Sequence, residues 1–182
     1  MHFDPTIRIG NNVKIGKNVA IGPYTMIWDD VTIEDNSTIG SFCVIKRHTY
    51  ISSSVFFDDF CISSGKCFIG EGSQIRYQSI IARNVVIGRN VFFCAGVKTA
   101  YLDHAGLPSK DVMRIGDEVF VGDNSTILAG KQIAKGVVIG AHSLVTKNLD
   151  NVDGVYMGCP AKFVRSLGTS EISRRERRIS TR

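Results

Sequence analysis

Proton transfer near neutral pH needs a group that titrates there, and histidine is the side chain suited to it. The 182-residue chain has four: His2, His48, His104 and His142. His2 is terminal. His48 stands three residues after Ile45 and His142 three after Ile139, at equivalent places of a regular repeat, so both read as outward surface residues. His104 differs: it lies in an irregular segment, next to Asp103 and near Gly106 and Pro108. A neutral imidazole at that position can take the proton of an attacking hydroxyl or amine. Asp103 or a backbone carbonyl can hold the other ring nitrogen and fix the tautomer. Cysteine chemistry is less well placed. Cys43, Cys61 and Cys67 fall in a column of small inward residues and read as core thiols, and Cys94 and Cys159 have no base beside them in sequence. An odd cysteine count, no CxxC pair and no signal sequence favour a reducing, cytoplasmic setting without disulfides.

The element that must position such a loop is a repeat of six. Every sixth residue from Ile9 to Phe93 is large and apolar except Ser63, and most are isoleucine. Two residues before each stands a small or β-branched one, among them Val13, Val19, Val31, Cys43, Val55, Cys61, Cys67, Val85 and Val91. Residues two apart on a strand share a face, so both columns point inward. Glycine often follows the isoleucine, as at Gly10, Gly16, Gly22 and Gly88, and asparagine stands three after it at Asn12, Asn18, Asn36, Asn84 and Asn90. Both residue types accept a positive φ and mark corners. The pattern predicts a triangular coil of about 18 residues per turn, stacked at about 4.8 Å, with isoleucine on isoleucine inside.

The register breaks once. Residues 100–113 lose the period, and it resumes at Ile115, Val121, Ile127, Ile133, Ile139 and Val145 with its phase moved by four modulo six. A loop therefore protrudes between two coils, and a stiff scaffold bearing one irregular loop is a common way to carry a site. Residues 52–65, crowded by Phe56, Phe57 and Phe60 and interrupted by Ser63, are expected to hold a local bulge or loosened corner. Residues 1–159 form the body. Residues 160–182 are expected to give a helix opening at Pro160, with Phe163, Val164 and Leu167 on one apolar face, and a basic tail. The formal net charge is +5. Residues 171–182 hold five Arg and two Glu, which is +3, so the body is close to balanced and the tail reads as solvated. Nucleic acid is not an expected partner, and no run of residues is long and apolar enough for a membrane span.

The array of [Ile/Val]-Gly-x-x-x-x hexads resembles the hexapeptide-repeat family, which implies an all-β, left-handed parallel β-helix with one protruding loop and a short C-terminal helix. Three further segments resemble the sugar O- and N-acetyltransferase branch, galactoside and maltose acetyltransferases included. They are Ile115-Gly116-Asp117-Glu118-Val119-Phe120-Val121-Gly122, Val138-Ile139-Gly140-Ala141-His142-Ser143-Leu144-Val145-Thr146-Lys147 and Gly158-Cys159-Pro160-Ala161-Lys162-Phe163-Val164-Arg165. That resemblance implies acetyl-CoA as co-substrate and His104 as catalytic base, with Asp103 as its partner. It also implies direct transfer in a ternary complex, with a fixed N–H donor for the oxyanion. It carries the coenzyme contacts to Asp123, Ala141, Thr146, Lys147, Lys162 and Arg165, the three cations serving the phosphates. Asp123 stands where a small residue is common, Lys162 where arginine is common, and His142 where glycine is usual. The acceptor would be a sugar or nucleotide sugar in polysaccharide synthesis, met by Arg76, Tyr77 or Tyr101. The family usually forms homotrimers with active sites between subunits. No metal is expected. Two other readings fit the coil: a non-catalytic scaffold subunit, and a γ-class carbonic anhydrase. The anhydrase needs three zinc-binding histidines, and none of the four here shows the close spacing.

Overall fold

A computed structural model describes residues 4–103 and 105–180, with side chains to Arg177. His2 and His104 lie outside the described residues. Short strands, most of two residues, stack into three sheets of eight, seven and nine strands, parallel except for the last strand of the nine. We call these faces A, B and C. The chain visits them in turn, with face A opening at Arg8–Ile9, face B at Lys14–Ile15 and face C at Ala20–Ile21. The molecule is a left-handed β-helix of triangular section with one short C-terminal helix. Partners in neighbouring coils lie 18 residues apart, as in Ile27↔Ile45 on face A and Ile33↔Ile51 on face B. Across residues 100–113 the offset becomes 28, Val85↔Met113, ten more than the regular 18. The insertion leaves the sheets on either side in phase.

The isoleucine column and the small column form the core. Ile27, Ile45, Ile69, Ile81, Ile115 and Ile139 are buried, and so are Val31, Val55, Val91, Val119 and Val137. Only the first coil lacks a layer above it. Ile9 is 40% exposed, whereas Ile27, one coil below, is 2% exposed. Corners take the left-handed conformation, with Asn12, Asn18, Asn36, Asn84 and Asn90 at φ between 54° and 66°. Larger residues adopt it as well. Tyr24, Phe42 and Phe60 sit at successive corners with ring centroids 5.0 and 5.1 Å apart, and that stacking offsets part of the cost of a positive φ.

Residues 52–65 hold no bulge. Ile62–Ser63 pairs in register with both neighbouring strands. The Ser63 hydroxyl is buried 2.9 Å from Thr49 Oγ1, so the polar residue is satisfied inside the ladder. The core thiols follow the sequence expectation. Cys43, Cys61 and Cys67 are free and buried, and burial pushes Cys43 up to about 11 and Cys61 to about 12. A thiol reagent at pH 8 should therefore modify exposed Cys159 within minutes and leave these three unmodified until the protein is denatured. Mass spectrometry of native against urea-treated protein reads the difference.

The C-terminal segment departs from expectation. Gly154–Met157 extends face C beside Val138–Ile139. The chain then turns through a cis Cys159–Pro160 bond and returns as Lys162–Ser166, antiparallel. The expected helix start is therefore a turn followed by the strand Lys162–Ser166. The last edge of face C needs a hydrogen-bonding partner, and Phe163 packs edge-on against the buried Tyr156 ring, centroids 5.5 Å apart. The helix is Thr169–Ser180. It is held to the coil by Arg175, which donates to Gly136 O at 2.9 Å and pairs with Asp153 at 2.8 Å and Glu118 at 3.3 Å. This arginine is only 9% exposed, so part of the basic tail is a docked structural element.

Candidate active site

The inserted loop leaves the edge between faces A and B after Lys98–Thr99 and returns at Met113–Ile115. Its stem is closed by an antiparallel bridge between Leu102 and Pro108 and by Ser109 N–H donating to Tyr101 O at 2.9 Å. The tip is organised by Asp103. One carboxylate oxygen accepts the N–H groups of Ala105 at 2.8 Å and Leu107 at 3.0 Å, and Gly106, at φ +74°, donates its N–H to Asp103 O at 3.1 Å. The acid that precedes His104 in sequence thus binds the turn at residues 105–107. Asp103→Asn keeps an oxygen for both N–H groups and should hold activity within a few-fold. Asp103→Ala leaves two donors to water and should lower it by more than tenfold; the pair compared in one assay separates a turn-forming role from a charge.

The loop leans on the coil below it. Gly130, at φ +71°, lies so close to Ser109 and Asp111 that a Cβ would come within 2.9 Å of Ser109 Oγ. Gln132 donates from Nε2 to Val112 O at 2.8 Å. Between loop and coil is a groove of about 350 Å³, lined by Leu102, Asp103, Leu128, Ala129, Lys131 and Thr146. The structure therefore brings Asp103 and Thr146, 43 positions apart in the chain, to one cleft. Leu128, Ala129 and Lys131 were not candidates in the sequence. The 28-residue offset, which sets the coil after the loop directly under its stem, is the signal that finds them.

The other candidates stand elsewhere. Asp123 and Ala141 lie on the edge between faces C and A, one coil apart, with His142 N–H donating to Asp123 O at 2.8 Å. Asp123 Oδ1 accepts the Ala95 N–H at 3.2 Å. The same bond recurs from Asp29 to Asn11, Asp35 to Lys17, Asp59 to Ser41 and Asp117 to Arg89. A carboxylate at this corner place is a repeat-stabilising device, which accounts for an acid at position 123. Arg76 and Tyr77 lie on the same edge, closer to the first coil. Arg76 Nε donates to the buried Asp58 carboxylate at 2.8 Å, and its guanidinium lies 5.5 Å over Phe56 and 5.4 Å over Tyr77. Tyr101 is half-buried against the core. Lys147 and Lys162 are exposed. Arg165 makes two bonds to Glu171, at 2.7 and 2.8 Å, and chiefly through them holds that carboxyl down at about 2. A phosphate at Arg165 would have to displace Glu171. Among the described residues no group of three or more His, Cys, Asp or Glu is arranged to hold a metal ion.

Known proteins share this architecture. Residues 12–47 match the bacterial transferase hexapeptide (six repeats), and residues 112–147 the hexapeptide repeat of succinyl-transferase. The bifunctional protein GlmU of Ruthia magnifica subsp. Calyptogena magnifica is 37% identical over 119 residues, which is 65% of this chain and 25% of the relative. The chain spans between 24% and 34% of the length of such curated relatives. A UDP-N-acetylglucosamine acyltransferase from Campylobacter jejuni superposes with a TM-score of 0.71 at 17% identity, covering 96% of this chain and 81% of the other. An N-acyltransferase from Bacillus cereus, solved with dTDP and coenzyme A, gives 0.63 at 19%, covering 94% and 92%. At these identities the two structures speak to the fold. By repeat and by fold, the chain is similar to the hexapeptide-repeat transferases.

Proposed function

We propose that the protein is an acyltransferase that moves an acetyl group from acetyl-CoA to a hydroxyl or amine of a sugar or nucleotide sugar. The observation that carries this reading is the groove in which the loop bearing His104 meets Thr146. The acceptor oxygen or nitrogen attacks the thioester carbonyl as His104 takes its proton. A carbon–oxygen or carbon–nitrogen bond forms, the carbon–sulfur bond breaks, and the CoA thiolate leaves to be protonated. The matches to the bacterial transferase hexapeptide and to the hexapeptide repeat of succinyl-transferase support the same class of reaction.

Homotrimeric assembly completes this reading. Asp123 and Ala141 stand on one edge of face A, and Thr146, Lys147 and the loop on the other. Roughly five strand residues, or about 15 Å, separate them. A second copy that sets its C–A edge against the A–B edge of the first would close the coenzyme groove from both sides, with Lys147, Lys162 and Arg165 at its phosphate end. Release of free CoA from acetyl-CoA, measured over a panel of amino-sugar nucleotides and simple sugars, tests the class. Turnover with an acceptor, and a rise in melting temperature with acetyl-CoA alone, are the expected results. No turnover and no thermal shift would sink the reading and favour a scaffold.

A further inference from the structure

The C–A edge above Asp123 carries three unlike surfaces in a row. Its corners are joined coil to coil by amide bonds: Asn124 N–H donates to Ala95 O, Gly96 to Tyr77 O, Gln78 to Asp59 O and Phe60 to Ser41 O, at 2.8 to 3.1 Å. Successive corners are therefore about 4.8 Å apart. One coil above Asp123 stand Cys94-Ala95-Gly96, with small side chains only. Two coils above stand Arg76-Tyr77-Gln78, and three above is Phe60. Phe60 is the foot of the stacked rings Tyr24, Phe42 and Phe60 and is 52% exposed. Among the described residues no ring stacks on its lower side, where the next corner residue is Gln78. Between Gly22 and His142 this edge has a single lysine or arginine, Arg76. It holds the first corner place, which is glycine at Gly22, Gly40, Gly122 and Gly140. That place is tight: a Cβ on Gly22 would lie 2.6 Å from Ser41 N, and one on Gly122 2.5 Å from Ala141 N. Asp58 fills the same place one coil higher and is buried. A buried carboxylate costs stability unless it is paired, and glycine would serve the coil. The pair instead fixes a guanidinium. Arg76 Nε donates to Asp58 at 2.8 Å, the group lies over the Phe56 and Tyr77 rings, and the side chain stays 34% exposed. Asp59, the other acid beside it, is turned to the coil above, where Oδ1 accepts the Ser41 N–H at 2.6 Å.

We infer that this edge is the acceptor site for a nucleoside diphosphate sugar, with the sugar in the notch at residues 94–96, the diphosphate on Arg76 and the base under Phe60. This deepens the transferase reading and rests on it for the reaction. The order of the three surfaces selects the ligand. A sugar in the notch lies one coil from Asp123, where the coenzyme is proposed to reach. A fixed arginine fork suits phosphate oxygens. A base under Phe60 continues the column of rings, and the Gln78 amide offers its edge both a donor and an acceptor. A neutral oligosaccharide would leave Arg76 unused, and an acidic monosaccharide would leave Phe60 without a partner. In the trimer proposed above, this line faces the A–B edge of a second copy across the cleft that takes the coenzyme. On that edge Lys66 stands at the coil of Phe60 and Arg83 at the coil of Gln78, and neither has an acidic side chain within 4.0 Å among the described residues. The second copy would thus add cations for the diphosphate while the cleft stays open to substrate.

Binding is measured by calorimetry without acetyl-CoA. UDP-glucose and GDP-mannose serve as nucleoside diphosphate sugars, with glucose 1-phosphate, glucuronate and glucose as comparison probes. Wild type should bind at least one nucleotide sugar about tenfold or more tighter than glucose 1-phosphate or glucuronate, as a stacked base implies, and should not bind glucose. Phe60→Ala should weaken the nucleotide sugar roughly tenfold and leave glucose 1-phosphate unchanged. Arg76→Lys keeps the charge without the fork and should weaken both phosphate probes roughly tenfold. The D58G/R76G protein restores the glycine of the edge and leaves no buried charge, so it should fold and bind neither phosphate probe. Arg89→Ala, which removes an arginine paired with Asp117 on the B–C edge at 3.1 Å, should bind like wild type. Failure of both nucleotide sugars to bind would overturn the site. So would equal losses in Arg76→Lys and Arg89→Ala, or glucuronate binding as tightly as the nucleotide sugars. A change of assembly mass in Phe60→Ala would also overturn it, by making the ring column a contact between copies. Binding in the expected pattern with no acetyl transfer to any acceptor would defeat the transferase reading and leave the site standing. Acetyl transfer to a free sugar by a protein that binds neither nucleotide sugar would do the reverse.

Discussion

His104→Ala should lower acetyl transfer at least about a hundredfold and leave the melting temperature unchanged. General-base removal costs about 10²–10⁴ in rate. The two consequences separate because of how the loop is built. The turn is held by Asp103, Gly106 and the Leu102–Pro108 bridge, all of which the substitution leaves intact. The loop adds little to the core, where its contact is Tyr101. The rate loss should also have a pH signature. Below the imidazole pKa the base is protonated, so wild-type kcat/KM should rise with pH through the histidine range, and the variant's should be flat there. His48→Ala and His142→Ala serve as controls, since both residues are exposed corners of the repeat. An unchanged rate in His104→Ala would remove it as the base and point to substrate-assisted proton transfer.

The coil was legible because one physical demand recurs in every hexad. An inward isoleucine needs a small residue two places earlier and a positive-φ corner three places later, and each requirement has its own residue type. The position of the loop was legible for the same reason, as a shift in phase. What lies under the loop was not. Leu128, Ala129 and Lys131 read as ordinary hexad residues, and only the 28-residue pairing sets them beside Asp103 and Thr146. Asp123 was read through a family pattern as a coenzyme contact, while its carboxylate repeats a bond made at four other corners. The last strand was missed because Pro160 and a short apolar pattern suit a helix start, and the unpaired edge of face C, a tertiary feature, decided otherwise.

Phe57→Ala should destabilise the protein by about 3–5 kcal/mol, the usual cost of emptying a fully buried aromatic position. Phe57 is 0% exposed and lies on the face C ladder between Ile39 and Ile75. The triangular interior has a fixed cross-section, so a coil that admits phenylalanine must yield volume nearby. Six residues after Phe57 the ladder position on face A is Ser63, and six after Phe93 it is Thr99, both buried. The apparent break in the isoleucine column is thus the complement of the larger ring. Ser63→Ile in the wild-type background should overpack the core and cost about 1–3 kcal/mol. In the Phe57→Ala background the added methylenes meet a void, so the same change should be less costly or favourable. Thr49 keeps Lys46 O as acceptor at 2.7 Å after the serine is lost, so no donor is orphaned by the test. Urea midpoints of the four proteins, followed by circular dichroism, give the coupling energy. A value of at least about 1 kcal/mol in the favourable direction is expected for residues that share one packing volume, and strict additivity would refute the compensation.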